Sequence, residues 1–333
     1  MDRIYLVTGA AGHLGSTIVR TLVAQDQKVR ALVLPTDKLA EKLPSEVECI
    51  KGDVRDIESL QPFFEPAPEL EKVVIHTAGI VTIASSYNQL VYDVNVTGTK
   101  NILDQSLIHG ARKMIHVSSV HALPDKPANE VRSEISHYNP DEVNGLYSRT
   151  KSEASALALN AAEEGLDVSI VLPSGISGPY DSGRGHMTQL LVDYCKGRLT
   201  AGIHGGYDFV DVRDVADGIL ACVDRGRKGE SYILSNRYFS IPELLEIFHQ
   251  VTGRKPVKTF LPTWFAKVTA PLAELYYKVL KQPPLYTPYS IEVLTENSNF
   301  SHEKASRELG YTTRPMEETV RDSLTWLEQI GRI

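Results

Sequence analysis

The chain has 333 residues, 42% hydrophobic and 23% charged, an ordinary globular composition with room for about two domains. Its 35 lysines and arginines stand against 42 aspartates and glutamates, a net charge of −7, so no basic excess exists to neutralise phosphates and no nucleic-acid partner is expected. Three scattered cysteines, Cys49, Cys195 and Cys222, exclude a disulfide framework or a cysteine metal site and suit a reducing compartment.

The amino terminus enters an apolar run at once, without the pattern of a secretory signal. No stretch reaches about 18 uncharged apolar residues; the best candidate, 261–280, carries Lys267, Glu274 and Lys278 and reads as an amphipathic helical region. The expectation is a soluble, cytoplasmic protein with no membrane partner. Strands are predicted at 4–8, 29–34, 47–51, 73–77, 114–118 and 168–172, and helices at 13–24, 57–64, 87–109 and 146–164. Strands apolar almost throughout are buried on both faces, and their alternation with helices means βαβ units in a doubly wound parallel sheet of the α/β class. Right-handed crossovers put the carboxyl ends of the strands on one rim, where ligands bind. After 172 the rhythm breaks. Residues 173–185, rich in Gly, Ser and Pro, read as a loop. Helices follow at 188–197, 214–224 and 241–251, with a strand at 231–234 and a last helix at 316–330. Pro283-Pro284 interrupts a further pair of helices.

Between the first strand and first helix lies Thr8-Gly9-Ala10-Ala11-Gly12-His13-Leu14-Gly15. Gly9 permits the tight turn, Gly12 lets the backbone approach a pyrophosphate, and Gly15 lets helix and strand pack closely. The helix N-terminus supplies N–H groups and partial positive charge for the anion. In this strand–turn–helix context the loop reads as a dinucleotide site contacted by Gly9, Ala11, Gly12, His13, Leu14 and Gly15. The carboxylate that would bind a ribose 2′-hydroxyl about 20 residues on is missing: the second strand ends at Leu34-Pro35, with Asp26 and Asp37 outside it. No arginine stands there either, although Arg30 and Lys38 are near. NAD and NADP both stay open, NADP favoured, with Leu34 and Lys38 along the adenosine end. Asp53, followed by Val54, is placed to accept from an adenine amino group or to cap the next helix. Thr77-Ala78-Gly79 ends the fourth strand with small residues, as close passage beside a ribose requires, and His76 reads as a packed strand histidine.

Tyr147-Ser148-Arg149-Thr150-Lys151 puts a phenol and an ammonium four residues apart on one helix face, and Ser118-Ser119 ends the fifth strand at the same rim. Together with the glycine loop, Asp53 and Asn95-Val96-Thr97-Gly98-Thr99, these motifs make the chain resemble, over nearly its whole length, the extended short-chain dehydrogenase/reductases. Within them it is similar to the branch of dihydroflavonol reductases and 3β-hydroxysteroid dehydrogenases. The resemblance implies a Rossmann-type domain over 1–172 and 211–240, and a smaller mixed substrate domain over 173–210 and 241–333. It implies Tyr147 as general acid or base, Lys151 lowering its pKa and holding the nicotinamide ribose, and Ser119, or failing it Ser118, steadying the substrate oxygen. Strand-end hydrogen bonding is the plainer role of both serines. Asn95 would brace the site through a helix distortion or a water, or is simply a polar residue on a helix. Pro173, Gly175 and Ile176 would pass the nicotinamide carboxamide. His121 could reach the substrate, but a solvated loop histidine is the preferred reading. His186 and His204 sit in glycine-rich loops without ligand spacing.

In the segment 209–217, Asp214 is read as a helix cap and Asp211 with Arg213 as a structural ion pair. Sugar-nucleotide enzymes of this kind carry an arginine just before it to grip a diphosphate. This chain has Gly205-Gly206-Tyr207-Asp208, whose acid would repel one, so a neutral substrate is favoured. Phe260, Trp264, Phe265, Tyr276, Tyr277, Tyr286 and Tyr289 make the following region aromatic, with Trp264 the best candidate to line an apolar cleft. The small-residue stripe Ala154, Leu157, Ala158, Ala161 either packs against a second copy in a homodimer or is buried internally. The expected function is NAD(P)-dependent interconversion of a ketone and a secondary alcohol on a bulky, weakly polar small molecule. A nucleotide-sugar epimerase or dehydratase with tightly held NAD is the alternative, and a non-catalytic sensor a third reading.

Overall fold

A computed structural model describes residues 2–65, 69–82, 87–182, 185–265, 268, 291 and 294–333. The predicted strands become β1 (Arg3–Thr8), β2 (Lys28–Val33), β3 (Glu48–Lys51), β4 (Glu71–His76), β5 (Lys113–Val117) and β6 (Val168–Pro173). The later β10 (Ser231–Leu234) joins them in one seven-stranded sheet, ordered β10-β6-β5-β4-β1-β2-β3 and parallel throughout. Successive strand residues point to opposite faces, and the two cores follow that alternation. Ile4 and Leu6 pack with residues of α2 (Ile57–Phe64), α4 (Gly98–Ile108) and α5 (Leu146–Glu163). Tyr5 and Val7 pack on the other face with α1 (His13–Ala24) and α7 (Val212–Arg225). The strand order reverses between β1 and β4, which opens a crevice at their carboxyl ends.

The segment predicted as one helix over 87–109 is broken. A short α3 (Gln89–Tyr92) runs into a π-helical turn, Asp93–Thr97, before α4. The stretch 173–185 is not all loop, since it contains β7 (Gly175–Ser177). β7 pairs in parallel with β9 (Gly206–Asp211), and β9 pairs antiparallel with β11 (Arg237–Ser240). β8 (Gly202–Ile203) pairs with β12 (Phe260–Leu261). Helix α6 (His186–Cys195) starts at His186, which is therefore helical. It packs near α8 (Ile241–Thr252), through Tyr194 and Phe248, and α9 (Glu303–Leu309) and α10 (Met316–Gln329) complete the chain.

The side chains bear on three further readings. Asp211, not Asp214, caps α7 by accepting from Arg213 N at 2.8 Å, and it pairs with the Arg213 guanidinium. Asp214 instead accepts from the Arg314 backbone and side chain. Of the stripe, Ala154, Ala158 and Ala161 are buried and Leu157 is partly buried against the core, which is the internal packing left open beside a contact with a second copy. Trp264 is 68% exposed, edge-on to Phe265. Tyr276, Tyr277, Tyr286, Tyr289 and Pro283-Pro284 lie outside the described residues, as does most of 261–280. Among the described residues, no helix is long and apolar enough to cross a membrane, and no group of three metal-ligating side chains occurs.

Candidate active site

The turn after β1 is built as a phosphate cradle. Gly9 has φ +64°, and a Cβ there would meet Ala78 N at 2.7 Å. A Cβ on Gly15 would stand 2.2 Å from Gly9 O, so the first turn of α1 packs directly on the loop. No side chain caps α1. The amides of its first turn, beginning at His13 and Leu14, are thus left for an external anion. The His13 ring turns away to the Pro179 carbonyl at 2.8 Å, and burial lowers its pKa. Across the crevice, Thr77 Oγ1 donates to Thr8 O and Ala78 N to Thr8 Oγ1, which tie the loop after β4 to the glycine turn. Bare backbone, free amides and strands that reverse order at this point fit a dinucleotide.

Past the end of β2, where the sequence expects the adenosine, Leu34 is exposed, and Asp37 caps a short 3-10 turn by accepting from Leu39 N. Arg30 is not available to a 2′-phosphate: it is buried, forks onto both oxygens of Glu48 at 2.8 and 2.9 Å, and donates to Pro62 O. Lys38 is exposed. The Asp53 carboxylate pairs with Arg55, which holds its pKa below the usual range; it does not cap the next helix, a role taken by Asp56. Val54 is buried against Gly98.

The end of the crevice expected to take a nicotinamide gathers residues from four elements. Tyr147 and Lys151 stand one turn apart at the start of α5, both buried. Lys151 Nζ donates to Val117 O at 2.9 Å, and a Cβ on Gly79 would meet Nζ at 3.3 Å and Asn95 Oδ1 at 3.4 Å. Burial pushes the Lys151 ammonium down to about 8. The π turn carries Asn95 inward, where its amide accepts from Ile80 N at 2.7 Å and donates to Ile80 O and Thr150 Oγ1. One side chain thus joins the loop after β4 to α5. Ser119 caps the short turn after β5 and accepts from His121 N at 3.2 Å. Ser118 points elsewhere, 2.7 Å from Ser155 Oγ on α5. His76 is buried with both ring nitrogens bonded, to Thr8 and Thr99, and burial pushes it down to about 3.

Three residues take positions that sequence reasoning missed. Asp208 is turned into the interior: it is fully buried, accepts from Ser174 Oγ and Asn236 N, and burial pushes its pKa up to about 6. Its neighbour Tyr207, on the opposite face of β9, bonds His121 Nε2 at 3.0 Å. His121 is not a solvated loop residue. Its ring lies edge-on to Tyr147 at 5.9 Å, and burial, with the Arg132 charge, pushes it down to about 4.

Comparison with known proteins agrees with this geometry. Residues 5–235 match the model of the NAD dependent epimerase/dehydratase family. The chain is 31% identical over 332 residues to sterol demethylase protein B of Methylococcus capsulatus, covering 98% of this chain and 99% of that protein. It is 28% identical to 3beta-hydroxysteroid-dehydrogenase/decarboxylase isoform 1 of Arabidopsis thaliana, covering 97% and 79%. The crystal structure of gox2253 superposes over all of both chains with a TM-score of 0.85 at 29% identity. The chain therefore belongs to the NAD-dependent epimerase/dehydratase family, within the extended short-chain dehydrogenase/reductases, and is an enzyme of the nicotinamide-dependent dehydrogenase and reductase kind.

Proposed function

We propose that this enzyme interconverts a ketone and a secondary alcohol on a bulky, weakly polar small molecule, with NADP as coenzyme. The observation that carries the reading is the buried Tyr147–Lys151 pair, its ammonium beside Gly79 at the mouth of the β1/β4 crevice. When bound, the nicotinamide supplies or accepts the hydride. In reduction Tyr147 gives its phenolic proton to the carbonyl oxygen; in oxidation its phenolate takes the hydroxyl proton. The Lys151 cation makes that phenolate less costly. Ser119, which already accepts from His121 N, has its own O–H to donate to the reacting oxygen. Asn95 holds the loop carrying Gly79 against α5.

NADP is supported by the lack of a carboxylate at the end of β2, with Asp37 engaged in a cap, and by the exposed Lys38 close by. The segment Gly205-Gly206-Tyr207-Asp208 holds no arginine to grip a diphosphate, which favours a substrate without a nucleotide arm. The relatives' names, sterol and 3beta-hydroxysteroid, point the same way. Free thiols at Cys49, Cys195 and Cys222 suit the cytoplasm, which belongs to the same reading. A homodimer is not part of it.

The test is a screen of NADPH and NADH oxidation over steroid, flavonoid-like and nucleotide-sugar carbonyl compounds. Net coenzyme turnover on an apolar ketone, with coenzyme released on dilution, is the expected result. Coenzyme retained on dilution and regenerated each cycle would replace this reading with an epimerase or dehydratase.

A further inference from the structure

His121 lies beside the proposed proton donor yet has no part in the chemistry above. Its ring is edge-on to that of Tyr147 at 5.9 Å and stacked on that of Tyr207 at 5.8 Å. Tyr207 is itself fixed. It packs against Phe209 and Phe300, and a Cβ on Gly175 would meet its Cδ1 at 3.0 Å.

The hydrogen bond between these two side chains decides which nitrogen carries the imidazole proton. Burial holds the Tyr207 phenol well above its ordinary pKa, so it is an O–H at neutral pH. Left without an acceptor, such a buried proton costs about 1–3 kcal/mol. Its partner among the described residues is Nε2 of His121, at 3.0 Å. Tyr207 therefore donates to Nε2. The imidazole, kept neutral by burial and by Arg132, carries its single proton on Nδ1. Nδ1 has no hydrogen-bond partner among the described residues.

We propose that His121 determines specificity: its Nδ1–H, fixed by Tyr207, donates a hydrogen bond to a second oxygen of the substrate, close to the reacting carbon. Rings in edge contact at 5.9 Å suit a molecule whose two oxygens sit on neighbouring or next-neighbouring carbons. The substrate class is then a ketone with a hydroxyl, carbonyl or carboxylate oxygen beside it, or the corresponding alcohol. This inference rests on Tyr147 as the proton donor and adds a second recognition point to the same site.

The experiment compares α-tetralone with its α-hydroxy derivative. Turnover is measured, and affinity for the coenzyme-loaded enzyme is measured by calorimetry. The proteins are the wild type, Tyr207→Phe, His121→Phe and His121→Asn, with Tyr147→Phe as control. The wild type should favour the hydroxylated ketone by at least about tenfold, the worth of one buried hydrogen bond. His121→Phe should bring that preference to about one, through KM rather than kcat. His121→Asn, which keeps a donor, should recover part of it, and Tyr207→Phe should lose part. Where His121→Phe does not fold, the other two variants carry the comparison. No wild-type preference in turnover or affinity, or one that survives the His121 and Tyr207 changes, would overturn the inference. Nδ1–H would then belong to a water in the small polar cavity that His121 shares with Arg132, Asn144 and Ser148. Full activity of Tyr147→Phe would instead remove the underlying reading, whatever the His121 variants do.

Discussion

Replacing Lys151 with methionine should make the coenzyme-free protein more stable while abolishing turnover. Burial pushes the ammonium from 10.5 to about 8. At about 1.4 kcal/mol for each pH unit, holding the cation inside at neutral pH costs roughly 3 kcal/mol. Methionine fills similar space without charge but loses the bond from Nζ to Val117 O, about 1–2 kcal/mol. The net expectation is a gain of about 1–2 kcal/mol at neutral pH. The pH dependence has a definite sign. Below about 8 the folded and unfolded lysine both carry the proton, and the full penalty stands. Between about 8 and 10.5 the unfolded chain binds more protons than the folded one, so wild-type stability rises with pH relative to the variant. Urea unfolding of both proteins near pH 7 and near pH 10 reads the difference, and ionisations shared by both cancel. A variant less stable near pH 7, or a gap that stays the same at both pH values, would refute the assignment of the penalty to Lys151.

Gly15→Ala should lower coenzyme affinity at least about tenfold and reduce stability by about 1–3 kcal/mol, because its methyl would meet Gly9 O at 2.2 Å. Fluorescence titration with NADPH and thermal melting check both, and wild-type values would contradict the close packing of α1 on its loop. Lys38→Ala should weaken NADPH about tenfold and leave NADH little changed, as expected for one lost charged hydrogen bond. An unchanged ratio of the two affinities would remove Lys38 as the 2′-phosphate contact.

The parallel sheet was legible because β4 and its neighbours are apolar on both faces and the helices between them are punctuated by glycine and aspartate. The glycine turn and the Tyr147–Lys151 spacing were legible because each is local: a positive φ at Gly9 and one turn of α5 need no tertiary information. What escaped was set by distant contacts. A helix distortion at Asn95 is expected only through the family resemblance; no proline or glycine marks it in 87–109 before Gly98, and the π turn accompanies the reach of Asn95 to Ile80, fifteen residues away. In the sequence Asp208 reads as facing a ligand because no strand is predicted over 206–211. As strand β9, it alternates sides, which turns the acid toward Ser174 and the tyrosine toward His121. The half-buried setting of His121 depends on Tyr147 and Tyr207, which lie 26 and 86 residues away in the chain.

Tyr147 as the group that moves the proton is tested most directly by Tyr147→Phe, with kcat and coenzyme affinity measured on the same preparation. The structure predicts a fall in kcat of about 10²–10⁴, with NADPH affinity within a few-fold of the wild type, since the glycine turn and Lys151 remain in place. A variant that turns over at the wild-type rate would contradict it.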